Sequence, residues 1–543
     1  MPEQTKNKKS DVSRREFLKI GGTLAAGLQV GAVAGAGLAA GKDPATHTGW
    51  QHLGDNTQFV DRKPLEIDGL PYEKVGQARR SEEPESVFGR QRLMMKSLMS
   101  KRKGSTDPSH DSSEEKTKKR REKPPEPIGD LPPESQAKKT PLDPRQRSFP
   151  SLDQFTGPLA QFYKERPDIY DLDKLRMESI MPKKMKDMAK YGNYYTLIDA
   201  WSACWGTSEP IRKPPEISDF QASNPMMGRA KIRDPIPFKS PALASKLIKK
   251  VTHQFGASMV GITKLNPDWC YNYGLRGSKD QGPYEVPKHW EYVIAFGVPH
   301  QWEQVNSNPN CGSSFDAYSR ATIAARRLEN FIKSLGYPAR RHSPMDGYDF
   351  IAGPILVDAG LGQLGRHGIV ITPETGSNFR AAFVTTNLPM EIDKPIDFGV
   401  NEFCSHCKIC AEICPSSSIS FEPNNKDMTT RGYRHWEINQ TSCFNYWMQS
   451  MGGIGCRLCL IACPYSRKNN WAHALARSAD SKDPTGLLDN GLTWFQKTFF
   501  KNPEAVEYLP PPDGRFATFR EPPEWLSTGN YLDIDILDPT KGE

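Results

Sequence analysis

Eleven cysteines in 543 residues are unevenly placed: Cys204, Cys270 and Cys311 stand alone, and eight crowd between Cys404 and Cys463. The first run is Cys404-x2-Cys407-x2-Cys410-x3-Cys414, closed by Pro415. Three cysteines at two-residue gaps let one tight stretch of backbone wrap three corners of a 4Fe–4S cube. The second run, Cys443-x12-Cys456-x2-Cys459-x3-Cys463-Pro464, stretches its first gap and keeps the x2, x3 and proline closure. A zinc ribbon needs two Cys-x2-Cys pairs, four thiolates in all. Eight thiolates with two Cys-Pro closures point instead to two 4Fe–4S clusters and one-electron transfer. Cys204, Cys270 and Cys311 lack ligand spacing and read as buried or free thiols.

In two-cluster ferredoxins the fourth cysteine of each run reaches the other cluster. That geometry groups Cys404, Cys407, Cys410 and Cys463 on one cluster, and Cys414, Cys443, Cys456 and Cys459 on the other. The clusters do not say where the electrons go. Gly360-Leu361-Gly362-Gln363-Leu364-Gly365 matches the dinucleotide pattern GxGxxG, but the residues that follow, Arg366 to Thr372, are strand-like. A pyrophosphate site needs a helix N-terminus there. Gly360, Gly362 and Gly365 read instead as a turn, or as a place where backbone approaches a large flat ligand. No histidine has Asp two residues before it, so the Asp-x-His-x-x-Gly mode of binding cobalamin is absent.

The elements that position these residues show between about 240 and 390, which reads as an alternating α/β region. Ala244, Leu247, Ile248 and Val251 mark a helical face ended by Gly256. Ala321, Ala324, Ala325, Leu328, Phe331, Ile332 and Leu335 mark a second, stopped by Gly336. Ser258 to Thr263, Tyr292 to Val298, His367 to Thr372 and Phe379 to Thr385 read as strands.

Upstream the sequence changes character. Residues 1–19 carry six basic and three acidic side chains around Ser13-Arg14-Arg15-Glu16-Phe17-Leu18-Lys19. Ile20 to Ala40 is uncharged, with six glycines and seven alanines, long enough to span a bilayer but only weakly apolar. This order reads as a twin-arginine export signal, residues 1–40, removed on maturation. Such export carries folded proteins, which reconciles an exported chain with cysteines that look like ligands and not disulfides. Residues 41–148, rich in Pro, Lys, Arg, Glu and Ser, read as a linker or irregular region that buries too little to fold alone.

Charge follows the same division. Lys and Arg number 72 against 64 Asp and Glu, a net +8. Residues 1–19 hold three of that excess, and residues 101–123, with nine basic and five acidic side chains, hold four. Almost none is left for a folded face, so the balance gives no support to nucleic-acid binding.

Taken together, the twin-arginine signal, Ala317-Tyr318-Ser319 ahead of Phe331 to Tyr337, the run Ala359 to Pro373, Thr386-Asn387-Leu388-Pro389 and both cysteine runs resemble the corrinoid-dependent reductive dehalogenases. The resemblance covers about 240 to 475 well and the amino-terminal half poorly. It implies an α+β protein: a nitroreductase-like α/β domain binding a base-off corrinoid (240–395), then a ferredoxin-like domain with two 4Fe–4S clusters (396–475). An N-terminal region (149–239) precedes these and a C-terminal extension (476–543) follows.

The resemblance further implies that Tyr318 donates the proton that replaces halide and that Arg366 stabilises the tyrosinate. A phenol of pKa about 10 is protonated at neutral pH, and a nearby guanidinium favours its anion. Some members add an asparagine about two dozen residues past the tyrosine, where this chain reads Arg341-His342-Ser343-Pro344-Met345. Trp447 matches a tryptophan that lines the relatives' pocket, and core packing beside a cluster is an equal reading. Trp201 and Trp205 read as core, with the cavity wall as the alternative.

The implied protein is an exported oxidoreductase acting on a small organohalide, peripheral on the outer face of the cytoplasmic membrane. A small membrane-anchor protein and an upstream electron donor are its expected partners. Two alternatives stay open. An epoxyqueuosine-reductase-like corrinoid enzyme shares the 360–390 block but uses an acidic proton donor where Tyr318 stands. A non-catalytic iron–sulfur subunit would leave Tyr318 and the glycine block without a task.

Overall fold

The computed structural model describes residues 62–74, 80–91, 93–94, 149–183, 235–272, 285–300, 305, 312–344, 346–422, 427–428, 433–450, 456–466 and 487–499. The export signal, the charged run 114–123, Trp201, Cys204, Trp205, Cys311 and most of the C-terminal extension lie outside these residues.

A four-stranded sheet organises the middle of the chain. Its strands are β1 (Met259–Lys264), β2 (Tyr292–Pro299), β3 (Ala339–His342) and β6 (Phe379–Thr386), in the order β1-β2-β6-β3. Every neighbouring pair is antiparallel, with Ile294 opposite Val384 and Ala295 opposite Phe383 in the central ladder. Successive strand residues point to opposite faces, and here both faces are covered. Ile294, Phe296 and Val298 pack with Ile248, Ala321, Ala325 and Leu328 on one side. Val293 and Ala295 pack with Phe350, Ile355, Leu356 and Phe383 on the other. A strand buried on both faces reads as an unbroken apolar run, as Tyr292 to Val298 does.

The first face is built by α3 (Pro241–Gln254) and α4 (Gly312–Ser334), which follow the helical pair α1 (Gly157–Glu165) and α2 (Pro167–Leu175) in the chain. Ser240 caps α3 by accepting from the Leu243 N–H at 3.2 Å, and Pro241 occupies its first turn. Gly256 and Gly336, at φ +107° and +89°, lie just beyond the ends of α3 and α4, where sequence reasoning places the stops. The second face is covered by α5 (Ala352–Asp358), which the sequence pattern does not announce. Its Schellman end is complete: the Gly360 N–H donates to Val357 O and the Leu361 N–H to Leu356 O, both at 2.9 Å.

Two expectations change. The strand expected over His367 to Thr372 shrinks to β5 (Val370–Ile371), paired with β4 (Gln363–Leu364), because Gly368 turns at φ +72° and Arg366 is drawn into the cysteine-rich region. Within the stretch read as a linker or irregular region, residues 62–74 are irregular and largely exposed yet docked on the sheet domain, and residues 80–91 end in a helical turn. Arg62 pairs with Glu374 at 2.6 Å, and the Tyr72 hydroxyl donates to Asp358 at 2.9 Å.

Beyond the sheet, α6 (Val400–Cys407), α7 (Ile409–Glu412), α8 (Gln440–Ser450), α9 (Leu458–Ala462) and α10 (Leu487–Phe499) enclose the cysteines, with a two-residue ladder between β7 (Asp427–Met428) and β8 (Tyr433–Arg434). A separate core of Met94, Phe149, Phe155, Leu159, Tyr163 and Ile169 holds α1 and α2 together. Among the described residues no helix is long and apolar enough to cross a membrane.

Candidate functional site

Cysteine placement starts from a backbone device used twice. In Cys407-Lys408-Ile409-Cys410 and Cys456-Arg457-Leu458-Cys459, the residue after the first cysteine sits in the left-handed region, Lys408 at φ 52° and Arg457 at φ 55°. Each starts a short helix: the Ala411 N–H donates to Lys408 O and the Leu460 N–H to Arg457 O, both at 3.0 Å. Reversing the chain at that residue turns the second cysteine back beside the first.

Cys404, Cys407, Cys410 and Cys463 line one small cavity, together with Phe403, Ile409 and Tyr465. All four are buried. Burial pushes the Cys404 and Cys410 thiols well above their usual pKa and Cys407 to about 12; mutual repulsion with Cys463 adds to each. Against this, the backbone N–H groups of Arg366 and Ile409 donate to the Cys404 and Cys407 sulfurs.

Cys414, Cys443, Cys456 and Cys459 form the second group, in mutual electrostatic reach and only half-buried. Burial again comes first, raising Cys443 to about 12, with Cys456 and Cys414 adding repulsion while the Trp447 indole donates to its sulfur. The Ser418 N–H donates to the Cys414 sulfur at 3.3 Å. Among the described residues no three His, Cys, Asp or Glu side chains converge on the point a single ion would occupy. Eight thiols in two groups, with N–H groups turned to sulfur, fit the thiolate ligation of iron–sulfur clusters.

Arg366 belongs to the first ring. Its side chain is 1% exposed; Nε donates to Cys404 O at 2.9 Å, Nη1 to Ser420 O at 2.7 Å and Glu422 O at 3.1 Å, and Nη2 to Ser405 O at 3.4 Å. The guanidinium lies 4.9 Å over Trp436. All three of its nitrogens thus serve carbonyls of the cysteine region. This corrects the expectation that Arg366 serves Tyr318. The cation facing Tyr318 is Arg380, whose guanidinium carbon lies 4.9 Å from the ring centroid.

Tyr318 stands on α4 and Arg380 on β6, elements that pack against each other across the sheet face. A second phenol, Tyr348, is nearby, but its hydroxyl donates to Ala381 O at 2.7 Å, and burial followed by the neighbouring Tyr318 pushes its pKa up. Tyr348 therefore holds its proton in a backbone bond. Beside them His300 is fully buried with neither ring nitrogen hydrogen-bonded, and Asn378 leaves its Oδ1 unpaired. The two are joined through the His300 N–H to Asn378 O bond of 2.9 Å. Burial first, then the charges of Arg380, Arg457 and Arg320, hold His300 well below its usual pKa, so it is neutral, with one donor and one acceptor. Sequence reasoning missed Arg380, His300 and Asn378. The available signal was a lone arginine in the apolar run Phe379-Arg380-Ala381-Ala382-Phe383.

The glycines Gly360, Gly362 and Gly365 each have backbone or side chain of the protein packed where a Cβ would stand. A side chain on Gly360 would meet Lys394 O at 2.2 Å, on Gly362 Ile371 O at 2.1 Å, and on Gly365 Ile371 Cδ1 at 2.7 Å. On the Cβ side of each, the close approach is to the protein's own chain, as the turn reading expects. Trp447 packs on Phe444 at 6.2 Å and bonds Cys443, so it serves the second ring. Cys270 is buried and its thiol is raised to about 12 by burial, an inert core residue.

Residues 403–467 match the family model of the 4Fe-4S dicluster domain. Over half its length the chain is a homologue of the reductive dehalogenases. It is 32% identical over 326 residues to the tetrachloroethene reductive dehalogenase of Sulfurospirillum multivorans, covering 52% of this chain and 60% of that one. The epoxyqueuosine reductase of Escherichia coli is 27% identical over 215 residues, covering 37% and 54%. A solved catabolic reductive dehalogenase in complex with 3-bromo-4-hydroxybenzoic acid aligns over 82% of this chain and 49% of its own, at 19% identity and TM-score 0.50, a likeness of fold. The chain thus spans about 60% of the length of the curated tetrachloroethene reductive dehalogenase.

Proposed function

We propose that the protein removes halide reductively from an organohalide: two electrons and one proton convert R–X to R–H and X⁻. The electrons pass singly through two 4Fe–4S clusters, on Cys404, Cys407, Cys410 and Cys463 and on Cys414, Cys443, Cys456 and Cys459. A base-off corrinoid, held by a nitroreductase-like sheet domain, supplies the metal that engages the carbon–halogen bond. The fit of such a group rests on the buried unpaired atoms of His300 and Asn378. A corrin rim carries amides, and a neutral imidazole beside a carboxamide oxygen offers what amides pair with. His300 is within electrostatic reach both of Arg380, which faces Tyr318, and of Arg457, which follows Cys456 in the second cysteine run.

In this reading Tyr318 Oη gives up the proton and Arg380 stabilises the phenolate that remains. Arg366 keeps the first ring in place. The protein is exported by the twin-arginine route, works peripherally at the outer face of the cytoplasmic membrane with a small anchor protein, and receives electrons from a separate donor. The observation that carries the proposal is the pairing of Tyr318 with Arg380, in a chain that also holds the two cysteine groups and is related to dehalogenases.

The test is metal analysis of anaerobically reconstituted protein followed by turnover. About eight irons and one cobalt are expected; iron without cobalt under corrinoid-replete conditions would sink the reading. Tyr318→Phe should lower dehalogenation of chloroalkenes or halophenols at least ~100-fold with iron content unchanged. Activity on epoxyqueuosine-containing tRNA, with none on any organohalide, would favour the alternative.

A further inference from the structure

Cys443 is the odd ligand. Its partners in each run are placed by tight turns, but twelve residues separate it from Cys456. A tight loop cannot locate a thiol at that distance, so α8, which carries it, has to be placed from outside.

What holds α8 is a buried ion triad from the amino-terminal unit. Asp173, at the end of α2, lies between Arg90 and Arg176. Arg90 Nε donates to Asp173 Oδ2 at 2.8 Å, and Arg176 Nη2 pairs with Oδ1 at 2.6 Å. The Tyr163 hydroxyl also donates to Oδ2, at 2.9 Å. The three charged side chains are 0–2% exposed. Both arginines reach α8: Arg90 Nη2 donates to Thr441 Oγ1 at 2.6 Å, and Arg176 Nη1 to Asn445 Oδ1 at 3.0 Å. Asn445 Nδ2 donates back to Leu172 O at 2.8 Å, and the Arg176 guanidinium lies 5.4 Å over the Phe444 ring.

Thr441 and Asn445 are four apart, hence on one helix face, and Cys443, two residues from each, is on the opposite face. The triad therefore grips the back of the helix whose front presents the thiol. Buried ion groups add little net stability compared with apolar packing, but their bonds are directional and fix a register.

We propose that Arg90, Asp173 and Arg176 are positioning residues for Cys443, setting one ligand of the second cluster from a part of the chain more than 260 residues away in sequence. This rests on the two-cluster reading above. The test uses the full-length reconstituted protein. Thr441→Val combined with Asn445→Leu cuts both arms at the helix and leaves the triad's own charges in place.

Selective damage is expected: one cluster loses iron or becomes a three-iron species by electron paramagnetic resonance, and its midpoint potential shifts. The other cluster keeps its spectrum and potential. Cys443→Ser should reproduce the altered spectrum, each single variant should give a smaller change, and Asn445→Asp, which keeps an acceptor for Arg176, should restore the native spectrum. Wild-type iron, spectra and potentials in the double variant would overturn the proposal. Equal loss of both clusters, the mark of a general stability role, would overturn it too. Four irons in the unaltered protein would instead refute the two-cluster reading, leaving no second cluster to position.

Discussion

The two cysteine rings share a motif and differ in what completes it. The first is enclosed: its four cysteines are 7–9% exposed, and Arg366 is buried against the same backbone. The second is half-open, and one of its members arrives on a helix gripped by a distant part of the chain. A turn encoded within four residues carries its geometry with it. A ligand placed by tertiary contacts depends on whatever makes those contacts. Three members of the first ring are thus placed by local turns, with Cys463 supplied from the second run, whereas the second ring also needs a helix held from a distant part of the chain.

The largest effect should come from removing a ligand from each ring. Cys404→Ala takes a cysteine from a buried core that also contains Phe398, Phe403 and Trp436, so half the iron and much of the thermal stability of the region should go together. Cys443→Ala should cost iron with a smaller fall in melting temperature. Chelation of the native protein should then run in two phases, the half-open ring first. Release in a single phase, followed by absorbance near 400 nm and by iron assay, would erase the distinction between the rings.

Arg366 sharpens the same contrast. Replacing it with Met leaves the carbonyls of Cys404, Ser420 and Glu422 without their donor and removes a buried cation from the first ring. A destabilisation of about 3 kcal/mol is expected by denaturant titration. The potential of the first cluster should fall, because a nearby cation favours the more negative reduced state, and the second should not move. Smaller still is Trp447→Phe, which removes a donor to Cys443. One hydrogen bond of ~1 kcal/mol corresponds to about 40 mV for a one-electron couple, downward and on the second cluster only.

These differences also mark how far the sequence could be read. The cysteine spacing marked the eight thiols that the fold gathers into two groups, and the apolar runs Tyr292 to Val298 and Phe379 to Thr385 became the two central strands. What escaped was whatever depends on side-chain direction. Arg366 and Arg380 stand fourteen positions apart around the same short hairpin, and only the fold shows that one turns to Cys404 and the other to Tyr318. Strand β3, Ala339–His342, was illegible because its arginines are held by ion pairs to Asp349, Glu329 and Asp346, not by an apolar pattern. The docked segment 62–74 carries the composition of a linker, and its attachment rests on single contacts such as Arg62 with Glu374.

The smallest expected effect compares the repeated turn in the two rings. A non-glycine residue in the left-handed region costs about 1–2 kcal/mol, and glycine adopts it freely. Lys408 is partly exposed and its side chain is not part of either ring, so Lys408→Gly should raise stability by about 1 kcal/mol in denaturant titration. Arg457 has the same backbone but is buried, and its charge bears on His300. In Arg457→Gly the relief of strain is set against lost packing and a lost buried cation, so its stability should fall. Equal gains at both positions would show that the two turns are interchangeable, and that the second ring owes less to its surroundings than its helix contacts imply.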